Sequence, residues 1–259
     1  FIKMPEGSQL YFLPARKVVG FHRESGEAFQ YPEGQAVAAF IAPAHTQSYI
    51  SAYEKDEEAA HVPLLPLFAY SAVGWLDDEF WVTAKRIDSD TRQDCDNFNE
   101  DLIEKNVDLL IKKYPGNRLI RHIGENCALT YNCPAARNFF QQKFEAPLPT
   151  SPNCNSKCLG CISYQPKGSE IPPPQYRIDF IPTAEEIAQV ALMHIDAVDD
   201  AVVSFGQGCE GDPIIVWETL KKAILLIRQE TEKGIINLNT NASLPYAVEE
   251  LCQIGLDSI

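Results

Sequence analysis

The chain has 259 residues, 45% hydrophobic and 22% charged, a globular composition with room for one large domain or two smaller ones. Its formal net charge of −14 argues against a general nucleic-acid or anionic-membrane surface, because phosphates need Lys and Arg to neutralise them. No run approaches the roughly 20 apolar residues that span a bilayer, and no basic start followed by an apolar stretch opens the chain, so a cytoplasmic protein is expected.

Residues 1 to about 95 read as mostly β. Short strand-like runs at 10–13, 36–41 and 80–83 are separated by Gly and Pro clusters such as Pro32-Glu33-Gly34. The aromatic stretch from Pro66 to Trp75 is expected in the core of this region. From 99 to 114, Leu102, Ile103, Val107, Leu110 and Ile111 recur at helical spacing, and Pro115-Gly116 ends that helix. Two nearby arginines, Arg118 and Arg121, read as a solvated face rather than a binding patch. A second helix is expected from 134 to 143, with Pro134 in its first turn.

Beyond Phe144 the rhythm changes. A strand at 143–150 leads into a cysteine-rich loop and a connector, 166–174, too rich in Pro for a regular element. Thr183-Ala184-Glu185-Glu186 is a capping box opening a helix to about 198. A strand at 201–205, a helix at 214–233, a strand at 234–238 and a helix at 245–254 follow, and 257–259 begins a fourth strand. Alternation of this kind means parallel βα units. The expected division is therefore an α+β region at 1–142 followed by an α/β unit at 143–259. From Lys143 onward only 117 residues remain, less than half of an eight-stranded barrel of roughly 250. A barrel cut off after about three βα units is expected, and the opening Phe1 suggests a fragment.

The strongest chemical signal is Cys154-Asn155-Ser156-Lys157-Cys158-Leu159-Gly160-Cys161. Three thiolates on one loop suit three corners of a cubane cluster, which normally takes four cysteines, so one iron is left for a non-protein ligand. Structural zinc usually wants four ligands, often in paired Cys-x₂₋₄-Cys units, and no second pair follows. Cys127 and Cys133 frame a seven-residue segment but lack an obvious third ligand, and so read as core or loop cysteines. Cys95 and Cys252 are lone thiols, the latter on an apolar helix face. His22, His45, His61, His122 and His194 are scattered without ligand spacing.

The Cys-x₃-Cys-x₂-Cys spacing resembles the signature of the radical S-adenosylmethionine superfamily. Two further segments add to the likeness. Residues 205–213, Phe-Gly-Gln-Gly-Cys-Glu-Gly-Asp-Pro, resemble that family's Gly-Gly-Glu-Pro element. Aligned on Pro213, Gly211 and Asp212 take the second Gly and the acid, and Glu210 replaces the first Gly. A strand-to-helix turn begun by Asp212-Pro213 is a compatible reading. Asn239-Thr240-Asn241 resembles a Thr-Asn stretch after the third strand, where an Asx-turn is the alternative.

The resemblance implies a partial, TIM-like (βα) radical S-adenosylmethionine barrel. Cys154, Cys158 and Cys161 would hold a [4Fe-4S] cluster. S-adenosyl-L-methionine would be bound near Gly160, Glu210, Gly211, Asp212, Asn239 and Asn241, with Cys209 inside the same element. Gly160 departs from the family pattern, which usually has an aromatic residue before the third cysteine. The implied activity is reductive cleavage of the cofactor to start radical chemistry on an unknown substrate, fed by an electron donor such as flavodoxin or ferredoxin. An iron–sulfur electron-transfer or structural metal protein is the alternative.

Overall fold

The computed structural model describes residues 1–22 and 24–259, and the chain divides into two compact units. The first comprises Phe1–Asp96 with Gly168–Pro172, the second Asn97–Lys167 with Pro173–Ile259.

The first unit is built from short antiparallel strands: β1 (Ile2–Lys3), β2 (Gln9–Phe12), β3 (Arg16–Phe21), β4 (Ala28–Gln30), β5 (Val37–Phe40), β6 (His45–Gln47), β7 (Tyr53–Lys55), β8 (Ser71–Leu76), β9 (Glu79–Val82) and β10 (Ala84–Arg86). Five of them form a sheet in the order β1-β9-β8-β5-β2, and β4-β3-β7 and β10-β6 form smaller sheets. Its two cores are small, Leu13, Ala36 and Ala38 in one and Ala39, Val82 and Ala84 in the other. The aromatic stretch divides: Tyr70 packs against the first core, and Phe68 stacks on Tyr11, but Trp75 is exposed, edge-on to Phe80. Trp75 stands at the far end of β8, whose last three residues, Gly74 to Leu76, are all exposed.

The second unit opens with α1 (Glu100–Lys113), capped by Asn99, whose side-chain oxygen accepts from the Leu102 amide. A short α2 (Arg118–Arg121) leads without a break into a π-helix, His122–Thr130, followed by α3 (Pro134–Gln141). Three parallel strands follow, β11 (Glu145–Pro147), β12 (Val202–Phe205) and β13 (Ile235–Leu238), adjacent in that order. They alternate with α4 (Ala184–Ala197), α5 (Trp217–Glu230) and α6 (Pro245–Gln253). Ser258 makes a single parallel bridge to Asn237. Among the described residues the sheet is open, and no helix is long and apolar enough to cross a membrane.

The boundary expected at 142/143 falls inside this second unit. Leu119, Ile120, Ile123, Phe139 and Phe140 share one core with Ala146, Leu148, Val203, Phe205 and Ile236. The helices before the sheet therefore bury the same apolar surface as the sheet itself. Arg118 and Arg121 are both half-exposed, as expected of a solvated face; Arg118 also forks onto Glu186 with an Nη2–Oε2 distance of 2.7 Å, while Arg121 pairs with Glu125. Glu186 is also the N3 residue of the α4 capping box, accepting from the Thr183 amide at 2.8 Å while Thr183 Oγ1 accepts from the Glu186 amide at 3.2 Å. One carboxylate thus caps a helix and ties it to the preceding segment.

Candidate functional site

The loops that leave β11, β12 and β13 at their C-terminal ends are laced together by backbone and carboxylate hydrogen bonds. Glu210, only 4% exposed, is the first knot. Its Oε2 accepts from the amides of Thr150 and Ser151 at 2.7 and 2.8 Å, and its Oε1 from those of Gly206 and Gln207 at 2.7 and 3.1 Å. Four N–H donors on two oxygens are what a buried carboxylate needs to offset lost hydration. Burial pushes this carboxyl up to about 7, with the four amides pulling the other way.

Gly206 and Gly211 are required by close approach. Gly206 has a φ of +81°, and a Cβ there would lie 1.8 Å from the Asn239 carbonyl oxygen. At Gly211 a Cβ would lie 1.8 Å from the Asn153 carbonyl oxygen, because its amide donates to the Ser151 carbonyl at 2.6 Å and the next amide, of Asp212, to Asn153 at 3.0 Å. Only a residue without a side chain lets these backbones meet.

Asp212 ties the third loop. Its Oδ1 accepts from Thr240 Oγ1 at 2.6 Å and from the Ile214 amide at 3.1 Å, capping the 3₁₀ turn Pro213–Val216, and its Oδ2 accepts from the Asn241 amide at 2.7 Å. Asn241 Nδ2 reaches the cysteine loop, donating to Asn155 Oδ1 and Ser156 Oγ at 2.7 Å each, and Asn155 Nδ2 donates to Ser243 Oγ at 2.7 Å. Asn239 turns its side chain back to the Phe205 carbonyl at 3.3 Å. The carboxylates of Glu210 and Asp212 and the amide of Asn239 are therefore engaged in holding loops.

On the cysteine loop, Cys154 and Cys158 are exposed and Cys161 is half-buried. Leu159 at the loop tip is 93% exposed, and nothing lies within 4 Å of a Cβ built on Gly160, so an aromatic residue there would meet open space. Cys154 Sγ accepts from the Ser156 amide at 3.4 Å. Cys161 Sγ stands 3.4 Å from Arg177 Nη2 and 3.7 Å from Ser163 Oγ. Burial alone would raise the Cys161 thiol, yet the amide and hydroxyl of Ser163, the Tyr164 amide and the Arg177 guanidinium together hold it below the usual thiol value. Among the described residues, no three His, Cys, Asp or Glu side chains are gathered closely enough to hold a metal ion.

Cys127 and Cys209 are buried with their thiols in hydrogen-bond contact, a contact that with burial lifts Cys209 well above an ordinary thiol. Cys133 caps α3, and burial pushes its thiol up to about 11. Thiols held neutral in this way are inert. Cys252 is exposed on α6 rather than turned to its apolar face, since Ala247 and Leu251 take the buried side.

Sequence reasoning missed Arg177, Ser163, Asn155 and Ser156. Arg177 carried one usable signal: it is the only Lys or Arg between Lys167 and Lys221. Ser163, Asn155 and Ser156 carried none, because their partners are up to 88 positions away.

Compared with known proteins, the chain matches no family model and no curated protein.

Proposed function

We propose that this protein is a radical S-adenosylmethionine enzyme whose Cys154, Cys158 and Cys161 hold a [4Fe-4S] cluster. One observation carries the reading. The three segments on which the resemblance rests, the cysteine loop, 205–213 and 239–241, are widely separated in the chain, yet they are laced together at the C-terminal ends of three adjacent parallel strands. That is the end of a parallel sheet at which such folds build their sites, and it favours an enzyme over a simple cluster carrier, which has no need of the second and third segments.

The donor chemistry suits the cluster. Three soft thiols stand within eight residues, two at the surface and the third held below its usual value by a cation and hydrogen bonds. Three rather than four cysteines would leave one iron open to a non-protein ligand such as S-adenosyl-L-methionine. When bound, the cluster supplies the electron that cleaves that cofactor's sulfonium. The chain's own work is to hold loops. Glu210 ties the β11 loop to the β12 loop, Asp212 ties β12 to β13, and Asn241 ties β13 to the cysteine loop. Gly160 leaves room beside Cys161, while Gly206 and Gly211 let the backbones of neighbouring loops meet. In this reading the parallel strands belong to a partial (βα) barrel, and an electron donor such as flavodoxin or ferredoxin serves the cluster.

Anaerobic reconstitution tests the proposal. About four iron and four sulfide per chain are expected. Ala at Cys154, Cys158 or Cys161 should abolish uptake, whereas Cys127→Ala and Cys133→Ala should leave it intact. Stoichiometric tetrahedral zinc with no uptake of iron would overturn it.

A further inference from the structure

We infer that Arg177 is a positioning residue of the proposed cluster site, directing a permanent positive charge and a hydrogen bond at Cys161 Sγ so that the cluster is easier to reduce. The inference rests on the cluster reading above and goes beyond it to the control of its potential.

The geometry is specific. Arg177 Nη2 lies 3.4 Å from Cys161 Sγ, Nε donates to Ser163 Oγ at 3.2 Å, and Nη1 reaches the Pro152 carbonyl at 3.5 Å. The guanidinium also lies over the Tyr164 ring, 5.3 Å from its centroid. The planar fork is thus fixed from three sides, which a flexible ammonium cannot reproduce. Its backbone is fixed as well. Two residues earlier the Gln175 amide donates to Ile162, and one residue later the Ile178 amide donates to Cys209. The arm returning from the Pro-rich connector therefore spans both the cysteine loop and the 205–213 loop.

The charge itself is the telling feature. The chain carries 36 acidic residues against 22 Lys and Arg. Even so, none of the ion pairs among the described residues involves Arg177. A half-buried guanidinium left without a carboxylate, with one N–H on a sulfur, is poorly explained as scaffolding. Against a group that gains an electron it has a clear effect. Reduction adds negative charge to the iron–sulfur unit, and hydrogen bonds to ligand sulfurs and nearby positive charge favour the reduced form. Ser163 orients the fork, its hydroxyl accepting from Arg177 Nε at 3.2 Å and donating to the Glu210 carbonyl at 3.2 Å.

The test is an EPR-monitored redox titration of reconstituted wild type, Arg177→Gln and Arg177→Lys, with iron counted in each. Arg177→Gln is expected to bind the cluster but to disfavour its reduced form roughly tenfold, a downward shift of about 59 mV for a one-electron couple. Arg177→Lys keeps the charge and loses the fork, and should shift less in the same direction. A loaded Arg177→Gln with the wild-type midpoint overturns the inference and leaves the cluster reading standing. Wild type that takes up no iron overturns both. If Arg177→Gln folds but holds no iron, Arg177→Lys decides: a lowered midpoint supports the inference and an unchanged one overturns it.

Discussion

At the scale of single residues, the second unit commits buried polar groups to holding backbone. His194, on α4 and 2% exposed, places Nε2 3.2 Å from the Phe144 carbonyl, while Nδ1 has no partner among the described residues. Burial pushes this imidazole down to about 4 from an ordinary 6.5. It is therefore neutral in the fold, and the unfolded chain binds its proton more readily. The sign follows: the contribution is fully present above about pH 6.5 and is lost as the pH falls toward 4. His194→Gln removes the titration. The wild type should lose up to about 3 kcal/mol more stability than this variant between pH 7 and pH 4, read from urea unfolding at each pH. Parallel pH profiles for the two proteins would show that the imidazole does not carry the effect.

At the scale of elements, the loops decide which glycines are replaceable. Gly211→Ala drives a Cβ into the Asn153 backbone, with nothing flexible to give way. It should cost at least about 2 kcal/mol and reduce iron uptake, because Asn153 directly precedes Cys154. Gly160→Tyr, one residue from a proposed ligand, meets open space and should change stability by no more than about 0.5 kcal/mol. Thermal melts of the two variants measure the contrast, and equal losses would contradict the loop geometry. The same scale shows what was legible in advance. Elements with local signals stand close to where they are expected: α1 with its Asn99 cap, α4 with its capping box, β12 and β13 as short apolar runs. The π-helix at His122–Thr130 is not legible, because its i→i+5 bonds follow no apolar period. The three-residue strands of the first unit, such as β4 and β7, are equally opaque, being exposed throughout.

At the scale of the whole molecule, the segments of the candidate site were readable one by one, but their lacing was not. Glu210 reads in sequence as a substitute for a glycine in a cofactor element. In the fold its carboxylate meets amides up to 60 positions away, which no local pattern encodes. Likewise the unit boundary at 96/97 depends on α3 and the π-helix sharing a core with the sheet, a tertiary fact hidden behind the change of rhythm at Phe144. The proposed function requires the laced loops to serve a cluster and S-adenosyl-L-methionine together. EPR of the reduced, anaerobically reconstituted protein, recorded with and without S-adenosyl-L-methionine, tests it most directly. Under the proposed function the cofactor should reshape the cluster signal, and 5′-deoxyadenosine should be released on reduction. A protein loaded with about four iron per chain, whose spectrum is unchanged at saturating cofactor and which releases no 5′-deoxyadenosine, would contradict it.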